Sequence, residues 1–442
     1  MEYLATTFLF FSLLITNTQA LNPSLCSPSN SDDTSDLSIF HIYGGCSPFK
    51  ARETGPWVNT LLDMASKDRK RVAFLDSLAA RKTSAPIASG QQVLNIGNFI
   101  VRAKIGTPGQ LMFMVMDNSL DTAWVPCLGC QGCTSSGFSP NSSTTYELLN
   151  CDSALCRETH GLLSCPTTSP GPGLGACLYN QSYGGDSSFV ATLSHDSLSI
   201  DKDVIPNYAF GCISAISGNS IPPQGLLGLG RGPLSLISQA QSLYNGTFSY
   251  CLPSFKSYYF SGSLKLGLTG QPKYIRTTPL LQNPHRPSLY YVNLISISVG
   301  KVKVPIPQEY FAFNPSTGVG TIIDSGTLLT RFVGPAYTAI RDEFRNQVQG
   351  PFNPIGVFDT CFPVTHEQVA PTITLHFEGL DLKLPMENTL IHSSAGNMAC
   401  LAMAANSANS LINIIASWQQ QNLRILYDTT NSRLGIAREL CN

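Results

Sequence analysis

The chain has 442 residues, of which 43% are apolar and only 12% charged, and its net charge is −1. That length accommodates two or three compact domains with sizeable cores, and so even a charge balance offers no footing for nucleic acid or an anionic membrane as partner. A chain this poor in ionisable groups also changes its charge little on acidification, which suits work in an acidic compartment.

In chain order, the first element is a leader. "LATTFLFFSLLI" is an apolar core followed by "NTQA", with a cut expected after Ala20, although the start carries Glu2 and no Lys or Arg. The core is too short to span a bilayer, and no later stretch reaches about 18 unbroken apolar residues, so no membrane span is expected. Residues 57–82, "WVNTLLDMASKDRKRVAFLDSLAARK", place Leu61, Leu62, Met64, Val72, Phe74, Leu75 and Leu78 at recurring spacings of three and four. That spacing predicts a helix. Lys67, Arg69, Lys70, Arg71, Arg81 and Lys82 make it the most basic part of the chain, and Pro86 and Gly90 break the pattern after it. Residues 21–83 read as a removable pro-segment.

From about residue 90 the pattern changes. "NFIVRAKIG", "LMFMVMD", "YAFGCI", "SGSLKLG", "YYVNLISISVG", "GTIID", "TITLHF" and "LRILYD" are short runs rich in β-branched and aromatic residues, separated by Gly, Pro, Asn and Ser. They predict an all-β protein with many turns. Helices are expected only at "GPLSLISQAQSL" and "GPAYTAIRDEFRNQV".

There are 14 cysteines, 12 of them after Cys46. In a secreted chain they are expected to be oxidised. "CLGCQGC", Cys127 to Cys133, has the opening spacing of an iron–sulfur run, but Gly137 stands where the fourth Cys would be needed, so disulfides are the better reading. Sequons at Asn141, Asn180 and Asn245 are candidate glycan sites.

An internal repeat carries the functional signal. "MVMDNSLDTAW" answers to "TIIDSGTLLTRF", each an apolar pair, an Asp, small polar residues and an apolar continuation. Each is followed much later by an apolar-apolar-small step, "GLLGLG" and "NIIAS". Two similar β lobes, each presenting one Asp at a shared cleft, explain the pairing. Asp117 and Asp324 at the ends of apolar runs cost free energy unless paired or used. Two carboxylates about 3 Å apart share a proton over a range of acid pH. One then serves as general base on a water while the other, protonated, polarises a carbonyl. The pair titrates as a unit, so neither proton is assigned.

These residues resemble the pepsin-like aspartic proteases, and within them the plant nepenthesin-like branch. "IIDSGT" at 322–327 is similar to the second catalytic motif, complete with Asp324, Ser325, Gly326 and Thr327. "VMDNSLDTAW" is similar to the first, altered. "YNQSYGGDSS" resembles the flap and puts Tyr183 at the flap-tyrosine position, with Trp124 at that of its supporting tryptophan. "GLLGLGRGPLSLISQ", "WQQQNLRILYDTTNSRLGIA", the Cys127–Cys177 insert and "FHIYGGCSPF" also match, so the resemblance runs from about residue 38 to the C-terminus.

The resemblance implies an all-β, bilobal fold, with an N-terminal lobe at 84–250, a C-terminal lobe at 251–442 and a substrate cleft under a hairpin flap. It implies a secreted endopeptidase hydrolysing polypeptide substrates at acid pH, with no metal or organic cofactor, as a monomer. The basic pro-segment would oppose the catalytic carboxylates until removed. Cys361–Cys400 and Cys251–Cys441 are the pairs expected in the second lobe. Extracellular space is the default destination, and a vacuolar or plastid route stays open.

The first half-site departs from the family. Asn118 replaces a Thr whose hydroxyl ties the two loops together, Ser119 is tolerated in the branch, and Leu120 replaces a polar residue that bonds the carboxylate from outside. Losing that orienting bond is worth about 1–3 kcal/mol, or one to two decades in rate if it falls wholly on the transition state. Ala416, where Gly is usual, is expected to matter little. The alternative is therefore a weak or inactive member of the fold that binds other proteins, as the xylanase-inhibitor proteins resembling this branch do. Other hydrolase readings fail on residues. "GGDSSF" is not the trypsin-like run, and neither G-x-S-x-G nor H-E-x-x-H is present. His195 and His376 read as structural or surface residues.

Overall fold

The structure is a computed structural model. It describes residues 36–41, helical positions 59, 61, 62, 64–68, 71 and 72, and residues 98–441 except 134–136, 159–162, 165–174, 184–186, 255–261, 269, 273, 365–369 and 394–396. The leader, Cys26 and Cys46 lie outside the described residues.

The two halves repeat one strand arrangement, and that arrangement delivers the aspartates. Strand Gln110–Asp117 pairs antiparallel with Phe99–Ile105 and parallel with Leu226–Gly228, with Asp117 opposite Gly228. Strand Gly320–Ile323 pairs antiparallel with Tyr291–Val292 and parallel with Ile412–Ile415, and Asp324 follows at once. In each half the chain then returns to cross that same parallel partner. Trp124 opposes Leu226, and Arg331 opposes Ile414. The return strand lies parallel to a further strand, Asp203–Ser217 in the first half and Met403–Ala405 in the second. Parallel strands buried on both faces read as unbroken apolar runs, which is why "GLLGLG" and "NIIAS" carry no alternation.

A central sheet joins the halves. Thr247–Cys251 pairs with Gly262–Leu266 on one side and Leu423–Asp428 on the other, and Arg433–Arg438 and Arg276–Leu281 follow. At the opposite end, Asp36–His41 lies between Gly262–Leu266 and Phe99–Ile105. The segment expected to be the flap is a hairpin of Leu178–Ser182 and Ser188–Ile200, in register from Leu178–Thr192 to Ser182–Ser188.

Helices are few and short. "GPAYTAIRDEFRNQV" forms Gly334–Asn346 and buries Ala336, Tyr337, Ile340 and Phe344 at helical spacing. "GPLSLISQAQSL" forms two single turns, Leu236–Gln239 and Gln241–Tyr244. The basic segment is helical at its described positions. Leu61, Met64, Ala65, Asp68, Arg71 and Val72 are buried. At 3.6 residues per turn these positions share one face, so Asp68 and Arg71 are carried inward with the apolar stripe.

The described disulfides are Cys127–Cys212, Cys130–Cys133, Cys156–Cys177, Cys251–Cys441 and Cys361–Cys400, and Cys151 is also bonded. Both pairs expected in the second lobe are present, and the C-x2-C-x2-C run is consumed by disulfides. The three sequon asparagines are exposed.

Candidate active site

The strand geometry brings the two aspartates to one buried centre, each fully removed from solvent. Their closeness is visible at Gly326, where an added Cβ would lie 2.7 Å from Asp117 Oδ2. Glycine is required there because the other lobe's carboxylate occupies the space a side chain would need.

In the second half-site Asp324 accepts the Gly326 amide at 3.0 Å and the Thr327 hydroxyl at 2.5 Å. Burial, helped by the neighbouring Asp117, raises the Asp324 carboxyl above its ordinary range, against the pull of Arg71 and those two donors. In the first half-site Asp117 Oδ1 accepts both the amide of Ser119, at 2.8 Å, and its hydroxyl, at 2.7 Å. Both Ser119 donors therefore fall on Oδ1, while Oδ2, the oxygen matching the one that Thr327 serves on Asp324, is met by Arg71. Leu120 instead packs in an apolar cluster with Trp124, Tyr179, Tyr183 and Phe189. The sequence showed the loss at 120 but not that the Ser119 hydroxyl turns toward the carboxylate.

Asn118 answers the second departure. Its Oδ1 accepts the Ser325 amide at 2.7 Å and the Ser325 hydroxyl at 3.1 Å. Its Nδ2 donates to the Ile323 carbonyl at 3.2 Å and the Tyr427 hydroxyl at 2.9 Å. An amide has two acceptor sites and two donors, and Asn118 uses all four. Ser325 reciprocates, its hydroxyl lying 3.3 Å from the Met116 carbonyl and accepting the Asn118 amide at 3.3 Å. Each loop therefore grips the residues flanking the other's aspartate.

Trp124 meets Tyr183 edge to face, ring centroids 5.5 Å apart, and lies 4.7 Å from the ring of Phe189. The structure thus joins all nine residues singled out in the sequence into one connected assembly. The histidines fall elsewhere. His376 bridges Ser298 and Asp381 on neighbouring strands at 2.8 and 2.7 Å, and His195 opposes Glu147 across a strand pair.

A cation stands between the carboxylates. Arg71 Nη2 lies 2.6 Å from Asp117 Oδ2 and also donates to Ser119 Oγ, while its Nε is 3.9 Å from Asp324 Oδ2. The guanidinium is also 5.7 Å from the centre of the Tyr183 ring. The two carboxylates hold its pKa above the usual value even though burial opposes the charge. One helical turn earlier, Asp68 accepts the amides of Leu328 and Leu329, each at 2.5 Å, beside the second aspartate loop. Burial pushes Asp68 up to about 7, against Arg331 and those amides. Arg331 donates to the Ala65 carbonyl at 3.2 Å. The basic run flagged Arg71, but nothing local distinguishes Asp68, nor Asn98, whose Nδ2 donates to the Gly326 carbonyl at 3.0 Å.

Two family models match, described as xylanase inhibitor N-terminal, over residues 99–268, and xylanase inhibitor C-terminal, over 289–438. The chain is 58% identical to Aspartyl protease AED3 of Arabidopsis thaliana over 98% of both chains. It is 47% identical to Aspartyl protease 25 of Oryza sativa subsp. japonica, covering 92% of this chain and 95% of that one. With aspartic proteinase nepenthesin-1 of Nepenthes gracilis it shares 37% identity over 84% of this chain and 82% of the relative. Among solved structures, lupine conglutin gamma superposes with a TM-score of 0.61 at 20% identity, over 77% of this chain and 91% of that one, which speaks to fold alone. The all-β bilobal fold, the paired aspartates and these relatives together place the chain in the pepsin-like plant aspartic protease family.

Proposed function

We propose that the protein is a secreted endopeptidase, made as a precursor and active at acid pH, with Asp117 and Asp324 as its catalytic pair. One observation carries the reading. The altered first half-site still holds its aspartate and its link to the other loop, because Ser119 donates twice to Asp117 Oδ1 and Asn118 ties the loops together with every hydrogen-bonding position filled. Nothing in that geometry would be needed to keep two buried acids together in a protein that only binds.

The chemistry follows from the pair. The ionised carboxylate takes a proton from a water attacking the scissile carbonyl, and the protonated one gives its proton to the forming oxyanion. The proton taken from water then passes to the leaving amine as the C–N bond breaks, and the diol returns a proton to the other carboxylate. The pair titrates as a unit, so one shared proton serves both roles. Ser119 and Thr327 fix the orientation of the carboxylates, while Tyr183, backed by Trp124, covers substrate from the flap side.

Residues 21–83 act as the pro-segment, with lobes at 84–250 and 251–442. Arg71 neutralises the pair and fills the space between the carboxylates, and Asp68 anchors the same helix to the second loop. Polypeptide substrate is excluded until the segment leaves. The product is a monomer delivered to the extracellular space.

The test is cleavage of a denatured protein by acid-processed material from pH 3 to 6, alongside Asp324→Asn and a pepstatin-treated sample. Cleavage abolished in both controls supports the reading. The second reading, a protein-binding inhibitor of the same fold, draws on the description of the matched family models. It requires a folded, processed sample that cleaves nothing and inhibits a xylanase.

A further inference from the structure

We propose that Tyr427 is a positioning residue of the aspartate pair, acting through Asn118 as part of a closed circuit of hydrogen bonds around Asp324. The inference rests on the catalytic reading above and deepens it.

The circuit starts at Asn118 Nδ2, which donates to the Tyr427 hydroxyl at 2.9 Å. The Tyr427 and Tyr250 hydroxyls are 2.8 Å apart, and Tyr250 donates to Gln420 Oε1. Gln420 Nε2 then donates to the carbonyls of Asp324, at 3.0 Å, and Ile415, at 2.9 Å. The other side of Asn118 closes on the same short stretch, at the Ile323 carbonyl and the Ser325 amide. Residues 323–325 are therefore held from two directions, by Asn118 directly and by Gln420 through two phenols.

Every proton in the circuit has a fixed direction. Gln420 must turn its amide nitrogen to two carbonyls, which only accept, so its oxygen faces Tyr250. A phenol has one hydrogen. Tyr250 gives its own to Gln420, so Tyr427 must donate to Tyr250 and accept from Asn118. Asn118 is oriented independently, because the Ile323 carbonyl only accepts and the Ser325 amide only donates. The two assignments, made from opposite ends, agree without conflict. All four side chains are buried, at 1% exposure or less. Burial raises the pKa of both tyrosines, so they stay protonated donors throughout the working range.

The Tyr427 ring is fixed as well. It stacks on Phe248 with centroids 4.5 Å apart and planes 4° from parallel, and Tyr290 meets it edge-on at 4.5 Å. Its hydroxyl thus sits at a set point, and that point receives the second amide hydrogen of Asn118. A hydroxyl side chain at 118 would have a single hydrogen and would need no such acceptor. Tyr427 is the partner that makes an amide workable there.

The experiment is Tyr427→Phe in the processed enzyme, which keeps the stack and removes only the hydroxyl. The expected result is a roughly tenfold fall in kcat with KM within about twofold, since Tyr427 reaches the carboxylates only through the loop. The alkaline limb of the pH–kcat profile should shift, because Asn118 and Ser325 would hold the pair less firmly. Adding Asn118→Thr to Tyr427→Phe should recover activity relative to Tyr427→Phe alone. Tyr250→Phe breaks the circuit one link later and should give a smaller effect of the same kind. Wild-type kinetics in Tyr427→Phe, or losses that simply multiply in the double variant, overturn the proposal. A wild-type chain that cleaves nothing overturns the catalytic reading and the positioning role with it. The same cycle followed by thermal unfolding then decides separately whether Asn118 and Tyr427 are coupled, and additive shifts would deny even that.

Discussion

Replacing Arg71 with Ala in the uncut precursor should unmask activity. The Arg71 side chain is 8% exposed and its main partner, Asp117, is fully buried, so the pair is shielded from screening by solvent. Removing one member of a buried pair costs about 3–5 kcal/mol, mostly because the other charge is left without compensation. At 1.4 kcal/mol per decade, that weakens the closed state by about two to four decades. The apolar face, Leu61, Met64, Ala65 and Val72, remains to hold the helix, so the segment should open often rather than detach. The assay is hydrolysis of a quenched fluorescent peptide at pH 5, with chain length followed in parallel on gels. Wild type should show a lag that ends as precursor is converted. Arg71→Ala should cleave without a lag while still full length, and Arg71→Ala combined with Asp324→Asn should not cleave. Arg71→Lys should fall between, since an ammonium lacks the fork that faces both carboxylates. A lag of wild-type length in Arg71→Ala would refute the claim that this guanidinium keeps the pair silent.

Ser119→Ala should lower kcat by about one to two decades, the value of a buried orienting bond to a charged group, while Leu120→Ser should raise it, because both Ser119 donors fall on Asp117 Oδ1 and Oδ2 loses its Arg71 partner when the segment leaves. Gly326→Ala should abolish turnover in a chain that still folds, since its Cβ would press on Asp117 Oδ2. Intact folding can be checked by near-UV circular dichroism. Asp68 has an ordinary value of 3.8 and sits at about 7 when the helix is seated, so seating binds a proton. Its contribution is full below the ordinary value and is lost as pH rises through about 7. Asp68→Asn should therefore remove up to one proton from the pH dependence of segment release between about pH 4 and 7. An unchanged slope would show that Asp68 does not titrate with docking. It also follows that Asp68 opposes release in acid, so acid opening must come from the Arg71 end.

The repeat of two Asp motifs, each echoed by a small apolar step, was legible because strand pairing at the core needs the same residue pattern in both halves. The second half-site was legible because the resemblance covered every residue of it. The first was not, for a physical reason. Residue type at 118 and 120 reveals a missing hydroxyl but not the side-chain direction by which Asn118 links the loops and Ser119 turns to Asp117 Oδ1. Asp68, Asn98 and Tyr427 escaped notice because each reaches the aspartate loops from far along the chain, 260 residues away for Asp68 and Leu328, and 309 for Asn118 and Tyr427. No local pattern marks such partners. The basic helix was read from its spacing and its charge, yet among its described residues the charges that reach the aspartate loops, Asp68 and Arg71, are ones carried inward with the apolar stripe.

If residues 21–83 are the removable segment proposed above, strand Asp36–His41 gives the precursor a second kind of lock. It is paired on both edges, through four residue pairs to Gly262–Leu266 and three to Phe99–Ile105. A cut near residue 83 severs the covalent link but parts none of these rungs. The cut fragment would stay as a non-covalent subunit, so the nick and the onset of activity are separate events with separate clocks. When the strand does leave, it vacates a slot one strand wide in the sheet that joins the lobes, with unpaired amides and carbonyls on both walls. Open edges of that kind recruit whatever extended chain is at hand.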